Sequence, residues 1–218
     1  MSGEPTSFLY PFIDAEESDA DELVAVLAES ARRKAGESRA LGVTTLQRTL
    51  STVDAAAAAM ATAFSRGGRL FTFGNGGSAT DAEAAADRFG HPPRALPAIS
   101  LVDDRAVLTA LANDIGFDVV FARQIGALAR SDDIAVGFST SGSSSNVLAA
   151  FAEARRRGLV TVGFSGYDGG EMARTDTVQH CLVVDSDSVH RVQETQVRLL
   201  ERLWTAVHAH LRSKRATT

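Results

Sequence analysis

Two segments of the chain carry glycines and hydroxyl side chains in a pattern that can bind a phosphate group. The glycine loop, 74–78, reads Gly-Asn-Gly-Gly-Ser, and the serine loop, 139–146, reads Ser-Thr-Ser-Gly-Ser-Ser-Ser-Asn. Each follows a short apolar run and precedes a stretch whose apolar residues recur at helical spacing. A strand, a turn and a helix N-terminus leave backbone N–H groups free at the positive end of the helix dipole, which suits a phosphate.

The serine loop favours one phosphate monoester over a dinucleotide. Gly74, Gly76 and Ala79 fit the loose G-x-G-x-x-A dinucleotide fingerprint, and Asp103 or Asp104 after the next apolar run could be the ribose acid. A dinucleotide-binding fold does not require a second phosphate-binding loop. The five serines and the threonine of the serine loop can instead donate hydrogen bonds to the oxygens of one phosphate. The sequence therefore predicts a phosphate monoester as the ligand.

The composition excludes several other classes of function. The 218 residues include 22 basic and 27 acidic side chains, and the net charge of −5 argues against a general binder of nucleic acid or anionic membranes. The single cysteine, Cys181, precludes an intramolecular disulfide and a thiolate metal cluster, and it favours a reducing cytoplasm.

The two lysines, Lys34 and Lys214, lie outside both loops, which disfavours a P-loop and Schiff-base chemistry. No apolar run reaches the roughly 18 residues of a membrane span, and residues 1–22 lack the basic residues of a targeting peptide.

Five short apolar runs alternate with helical stretches from residue 70 onwards. The runs are 70–73, 98–102, 134–138, 160–164 and 181–184. Runs that are apolar on both faces and separated by helices are typical of a parallel sheet covered by helices. The predicted fold class is therefore α/β.

Helical periodicity also predicts the elements outside this region. The predicted helices are 19–34, about 51–64 and 188 to about 211. The predicted organisation is an N-terminal arm and helix, a main domain and a tail, at 1–50, 51–212 and 213–218. The apolar segment 7–12 within the first part is interpreted as a packed arm or, alternatively, a docking surface.

Both loops and three further motifs resemble the SIS (sugar isomerase) domain, specifically the sedoheptulose 7-phosphate isomerase, or phosphoheptose isomerase, family. The matching motifs, in chain order, are 74–78, 112–117, 139–142, 166–170 and 191–194. The resemblance implies a five-stranded parallel sheet between helices, in the three-layer, flavodoxin-like arrangement. It also implies a phosphorylated sugar as the ligand and a homo-oligomer, tetramer or dimer, whose subunits share sites.

The resemblance also implies which residues bind the substrate. The expected sugar-binding residues are Asn75, Gly76, Gly77, Ser78, Asn113 and Asp114. The expected phosphate-binding residues are Ser139, Thr140, Ser141 and Ser144.

The chain departs from the family where the chemistry is expected. In the isomerases, a His and a Glu one turn apart on the helix after the first loop join a Gln and a His of the last helix in the catalytic and zinc-binding group. Those four positions hold Ala84, Arg88, Gln193 and Glu201 here. Because only the glutamine remains, no metal and no other cofactor is expected.

Isomerisation of an aldose and a ketose requires a base that moves a proton between C1 and C2 through an enediol. Gln193 and Glu201 share one face of the last helix, so their side chains can reach one cavity. The hypothesis is that Glu201 is the base and Gln193 orients sugar hydroxyls. The alternative is a surface glutamate paired with Arg198 or Arg202. The candidates that would complete the site are Asp87 and His91.

Three functions remain open from the sequence. The first is a sugar-phosphate isomerase, which the serine loop and Gln193 favour. The second is a non-catalytic module, because the SIS fold also occurs in sugar-phosphate sensors and in a replication-initiator-associating protein that shares 107–114 and 167–170. The departures at the catalytic positions favour this module. The third, a nicotinamide-dependent oxidoreductase, depends only on the glycine spacing of the first loop.

Overall fold

The computed structural model describes the backbone of residues 20–216 and the side chains of residues 23–214. By its internal contacts, the chain divides into two compact units, 1–39 and 40–218. The apolar segment 7–12 lies outside the described residues. The domain boundary expected after residue 50 and the tail at 213–218 stay predictions.

Five strands form one parallel sheet, which confirms the α/β class and the strand positions. The strands are β1 (Leu70–Gly74), β2 (Ala98–Ser100), β3 (Ile134–Ser139), β4 (Val160–Gly166) and β5 (His180–Val184). Their order is β2-β1-β3-β4-β5, and each neighbouring pair is parallel. The strand order reverses between β1 and β3, and in such sheets ligands bind in the crevice beyond the carboxyl ends of those two strands.

The described part of the chain contains six α-helices, and their residues from 40 onwards flank the sheet. They are α1 (Ala20–Ser65), α2 (Gly77–Gly90), α3 (Arg105–Asp114), α4 (Val120–Leu128), α5 (Ser145–Arg156) and α6 (Val189–Ala216). Short 3₁₀ turns lie at Phe117–Val119 and Glu171–Ala173. Within residues 20–216, no helix combines the length and the apolar character needed to cross a bilayer.

The first helix differs from the prediction of two helices. It is continuous from Ala20 to Ser65, so the predicted start near Ser51 is wrong. Its two glycines each cost up to about 1 kcal/mol relative to alanine, which is too little to end a helix. The Thr49 hydroxyl donates to the Thr45 carbonyl at 2.7 Å, so this side chain bonds back within the same helix.

Each face of the sheet buries its own core because side chains alternate along every strand. Leu70 packs on one face with residues of α1, α2 and α6. Phe71, its neighbour in β1, packs on the other face with residues of α4 and α5. Helices α2 and α5 begin within the last residues of the two loops, at Gly77 and Ser145.

Candidate functional site

The glycine loop and the serine loop are joined by a reciprocal pair of side-chain amides. Asn75 Nδ2 donates to Asn146 Oδ1 at 2.8 Å, and Asn146 Nδ2 donates to Asn75 Oδ1 at 2.9 Å. Asn146 is buried, whereas Asn75 is half-buried. The pair joins both loops at the reversal of the strand order.

The glycine loop turns too tightly for most side chains. A Cβ at Gly74 would lie 2.4 Å from the Ser78 carbonyl oxygen and 3.0 Å from the Phe138 carbonyl oxygen. Gly76 has a φ of 55°, a conformation that glycine adopts without strain. Asn75, Gly76 and the buried Ser78 therefore form the compact turn that the motif predicts.

Three hydroxyls of the serine loop converge at the N-terminus of α5. Ser139 Oγ lies 2.9 Å from Ser144 Oγ and 3.4 Å from Ser141 Oγ. Ser139 is buried, Ser144 is half-buried and Ser141 is exposed, so the cluster leads from the end of β3 to the surface. Ser144 is the N-cap residue of α5 but makes no side-chain capping bond, which leaves its hydroxyl with the cluster. Hydroxyl donors and the helix dipole together suit an anion.

The end of β4 and the segment that follows it hold the serine loop through main-chain hydrogen bonds. The Thr140 carbonyl accepts the Gly166 N–H at 2.9 Å, and the Gly142 carbonyl accepts the Met172 N–H at 2.8 Å. Gly142 has a φ of 64°, and a Cβ there would lie 2.1 Å from the Gly169 carbonyl oxygen. Backbone contacts therefore set the shape of this loop, and the half-buried Thr140 contributes its main chain to that framework.

Gln193 of α6 lies against the start of α2. A Cβ at Gly77 would lie 2.4 Å from Gln193 Nε2, so the glycine makes room for this amide. Gln193 Nε2 donates to Asp81 Oδ2 at 3.3 Å. The amide thus connects the glycine loop to the polar face of α2.

Asn113 and Asp114 lie at the end of α3, and both are exposed. Asn113 Nδ2 donates to Asp114 Oδ1 at 2.8 Å. Among the described residues, no hydrogen bond connects either of them to the glycine loop or the serine loop. Their place in the sugar site stays a prediction.

A cavity of about 220 Å³ lies between α2 and α6, beside the end of β3. Its lining residues are Asp81, Ala84, Asp87, Arg88, Phe138, Gln196, Val197, Leu200 and Glu201. It contains three of the four positions at which the family resemblance places the catalytic group. The fourth, Gln193, borders it through the bond to Asp81. We call it the α2/α6 cavity.

Glu201 forms a two-point ion pair with Arg88. Arg88 Nε donates to one carboxylate oxygen at 2.6 Å and Nη2 donates to the other at 2.9 Å. These hydrogen bonds lower the pKa of Glu201 and raise that of Arg88. The Arg88 guanidinium carbon also lies 3.4 Å from the centre of the Trp204 ring. The partner of Glu201 is therefore Arg88, and neither Arg198 nor Arg202. The lowered pKa makes Glu201 a weak base.

Asp81 and Gln196 also line the cavity, although neither is among the residues predicted for the site. Burial raises the pKa of Asp81, and the hydrogen bond from Gln193 opposes that shift. The Gln196 side chain is buried, and neither its Oε1 nor its Nε2 has a hydrogen-bond partner in the described part of the chain. A helical signal existed, because Asp81 shares a face of α2 with Ala84 and Arg88 at spacings of three and seven residues.

Asp87 and His91 lie at the rim. The Asp87 side chain is exposed, and it lines the outer part of the α2/α6 cavity. His91 Nδ1 lies 2.7 Å from the Asp87 carbonyl oxygen and 3.4 Å from its carboxylate. This contact holds His91 to its own helix, and the described contacts do not bring it to Gln193 or Glu201.

The residues of the α2/α6 cavity do not fit the zinc ion that the family resemblance implies. Ala84 offers no donor atom, and Arg88 both repels a cation and occupies the Glu201 carboxylate. Across residues 23–214, no group of three or more His, Cys, Asp or Glu side chains is placed to hold a metal ion. A zinc site of four N, O or S ligands cannot form from this set.

Comparisons with known sequences find the same family that the motifs of the two loops indicate. The family model described as the SIS domain matches residues 37–166. The phosphoheptose isomerase of Solidesulfovibrio magneticus is 46% identical over 165 residues, which are 73% of this chain and 78% of the relative. The phosphoheptose isomerase of a Roseiflexus species is 47% identical over 138 residues, which are 62% of this chain and 69% of the relative.

The fold is similar to solved structures of two phosphoheptose isomerases. The structure from Neisseria gonorrhoeae superposes with a TM-score of 0.78 and 33% sequence identity, covering 84% of this chain and 99% of that one. The structure from Francisella tularensis superposes with a TM-score of 0.77 and 28% identity, covering 83% and 97%. The similarity thus extends over nearly the full length of both neighbours.

Proposed function

The chain belongs to the phosphoheptose isomerase family of SIS-domain proteins, and from that premise we propose that it interconverts the ketose and aldose forms of a seven-carbon sugar phosphate. The main support for the proposal is the hydrogen bonding between Asn75 and Asn146, which joins the glycine loop to the serine loop at the reversal of the strand order. Relatives at 46% and 47% identity are phosphoheptose isomerases by name.

The serine loop is the phosphate-binding part of the proposed site. Ser139, Ser141 and Ser144 point their hydroxyls at one another, and together they can donate to the phosphate oxygens. Hydrogen bonds to a charged acceptor are about twice as strong as bonds between neutral groups. Thr140, which is half-buried beside this cluster, is the fourth proposed phosphate-binding residue.

The glycine loop and α6 form the sugar-binding part. Asn75 and Ser78 present polar side chains, and Gly76 and Gly77 allow the backbone to approach the ligand closely. Gln193, which lies against the start of α2, is placed to orient sugar hydroxyls. The reaction then needs a base within the same site that transfers a proton between C1 and C2.

The test is to incubate the purified chain with sedoheptulose 7-phosphate in D₂O. Passage through an enediol exchanges a carbon-bound proton with solvent, so NMR should show both a new aldose phosphate and deuterium in the recovered ketose. Unphosphorylated sedoheptulose is the control, since it lacks the group that the serine loop would bind. The absence of both product and exchange would contradict the isomerase.

A non-catalytic binding module is the second candidate, and the ion pair at the catalytic positions favours it. Arg88 and Glu201 stand where the family resemblance places two catalytic groups. A module would show ligand-dependent thermal stabilisation by sedoheptulose 7-phosphate without product or exchange, because a ligand of the folded state raises its stability. The nicotinamide alternative lacks any support from the relatives named above.

The expected homo-oligomer, a dimer or tetramer with shared sites, is part of this proposal, as is a cytoplasmic location. Light scattering on the purified chain would give the subunit number. A monomer that is fully active would contradict shared sites.

A further inference from the structure

The α2/α6 cavity contains a buried amide that the described protein does not satisfy. The Gln196 side chain is 1% exposed, and both of its polar atoms lack hydrogen-bond partners across the described residues. Native proteins rarely bury an amide in this way, because the lost hydration is not recovered. Because this residue also lines a cavity of about 220 Å³, its amide is a candidate partner for a polar group of a ligand bound there.

The same cavity contains a positive charge that is held in place. Arg88 donates through two nitrogens to Glu201, and its guanidinium stacks on the Trp204 ring. Both contacts restrict the side chain, whereas the third guanidinium nitrogen, Nη1, has no part in the ion pair. A fixed cation beside a reacting carbonyl stabilises the oxyanion that develops there.

Three carboxylates line the cavity, and only one of them is suited to accept a proton. Both oxygens of Glu201 are bound by Arg88. The Asp87 side chain is 74% exposed and lies at the rim. Asp81 lies deeper, and the described bond to its carboxylate comes from the neutral Gln193 amide. A half-buried carboxylate whose described hydrogen bond comes from a neutral amide keeps more of its basicity than one bound by a guanidinium.

We propose that the α2/α6 cavity is a metal-free isomerisation site in which Asp81 is the base, Arg88 stabilises the enediolate oxygen and Gln196 binds a sugar hydroxyl. The inference rests on the proposed function and assigns the base to Asp81 instead of Glu201. The role of Glu201 is to hold Arg88, so the ion pair takes the place of the metal that these residues cannot bind.

The reaction balances without a co-reactant. The Asp81 carboxylate removes a proton from C1 of the ketose, the C–H electron pair forms the C1=C2 bond, and O2 becomes an anion beside Arg88. The O1 proton then passes to O2, the O1 electron pair forms the C1 carbonyl, and C2 takes the proton back from Asp81. C1 is oxidised and C2 is reduced by the same two electrons.

Asp81→Asn tests the base. We expect kcat to fall by about 10²- to 10⁴-fold, the usual contribution of a general base, while the affinity for sedoheptulose 7-phosphate by calorimetry changes less than about threefold. Glu83→Gln, on an exposed position of the same helix, is the matched control and should keep the wild-type kcat. An Asp81→Asn enzyme with wild-type kcat would overturn the assignment.

Gln196→Leu separates a ligand-binding amide from a structural one. Removing an unsatisfied buried amide should raise the melting temperature of the ligand-free chain, yet KM for the sugar phosphate should rise by about tenfold, because one hydrogen bond to the ligand is lost. A lower melting temperature with an unchanged KM would overturn the role of Gln196.

Metal independence is tested on the wild type by mass spectrometry and by activity after dialysis against a chelator. We expect less than about 0.1 metal ion per chain, well below the single ion of a zinc site, and an unchanged kcat. A stoichiometric metal, or activity that returns only with zinc, would overturn this inference and leave the isomerase intact. A wild type that binds the sugar phosphate but never exchanges a proton would overturn both.

Discussion

The serine loop and the α2/α6 cavity both border the end of β3, but different parts of the chain give them their shape. Glycines and main-chain hydrogen bonds shape the serine loop, such as the one from Met172 to Gly142. Side chains on two helices shape the cavity. The backbone of the loop constrains which residues fit, whereas the cavity holds the Arg88–Glu201 ion pair at positions where the family resemblance implies metal-binding side chains. Main-chain geometry thus sets the proposed phosphate site, and side-chain identity sets the chemistry of the cavity.

Gly142→Ala tests whether the backbone of the serine loop determines ligand affinity, and it should have the largest effect. The new Cβ would lie 2.1 Å from the Gly169 carbonyl oxygen, so the serine loop must move. We expect a loss of about 100-fold in affinity for sedoheptulose 7-phosphate by calorimetry, since about two hydrogen bonds to a charged group are displaced. Gly158→Ala is the control, because its φ is 84° but nothing lies closer than 4.0 Å. Equal affinities in the two variants would show that the loop tolerates the clash.

Restoring the metal-binding residues that the family resemblance implies tests whether side chains alone determine the chemistry of the α2/α6 cavity. The triple variant Ala84→His, Arg88→Glu, Glu201→His adds two imidazoles and one carboxylate beside Gln193. We expect its zinc content to rise from below about 0.1 to about 1 ion per chain, as a four-ligand site predicts. Ala84→His alone keeps the ion pair and should bind no zinc. Failure of the triple variant to bind zinc would mean that these helices are not spaced for a metal.

Ser144→Ala sharpens the assignment of the phosphate to the serine loop. Its hydroxyl lies 2.9 Å from Ser139 Oγ, and its loss should lower kcat/KM for the sugar phosphate by about tenfold, the value of one hydrogen bond to a charged group. Ser65→Ala removes a hydroxyl that donates within α1 and should leave kcat/KM unchanged. Unphosphorylated sedoheptulose should show no difference between the two variants.

The smallest effect is the pH dependence of stability from the ion pair. Arg88 lowers the pKa of Glu201 in the folded state, so the stabilisation is complete above the ordinary value of 4.5 and is lost as pH falls through the lowered pKa. The Glu201 side chain is 49% exposed, so the contribution is at most about 1 kcal/mol. Urea unfolding of wild type and Glu201→Gln should differ at pH 7 and converge at strongly acidic pH. A difference that grows on acidification would contradict the pairing.

The fold and the two loops could be predicted because their signals are local. Each strand is a short apolar run, and each loop directly follows one, so the alternation predicts the parallel sheet and the edge at which the loops meet. The continuity of α1 through Ser51 was missed because a capping pattern inside a helix does not end it when the packed face continues.

The contents of the α2/α6 cavity could not be predicted in the same way. Arg88 and Glu201 are 113 residues apart, and their pairing depends on how α2 packs against α6. Asp81 and Gln196 look like ordinary polar residues of amphipathic helices. Only the tertiary structure shows that Gln196 is buried and that Asp81 is half-buried at the same cavity. Polar side chains on facing helices are the part of such a site that a single sequence leaves undetermined.

The reciprocal amides of Asn75 and Asn146 have a consequence for the thermodynamics of binding. Each amide donates and accepts at once, so neither loop can shift without breaking two hydrogen bonds. The loss of loop entropy therefore occurs when the chain folds, before any ligand arrives. A phosphate that enters meets an already ordered pair of loops, and more of its interaction energy remains as affinity.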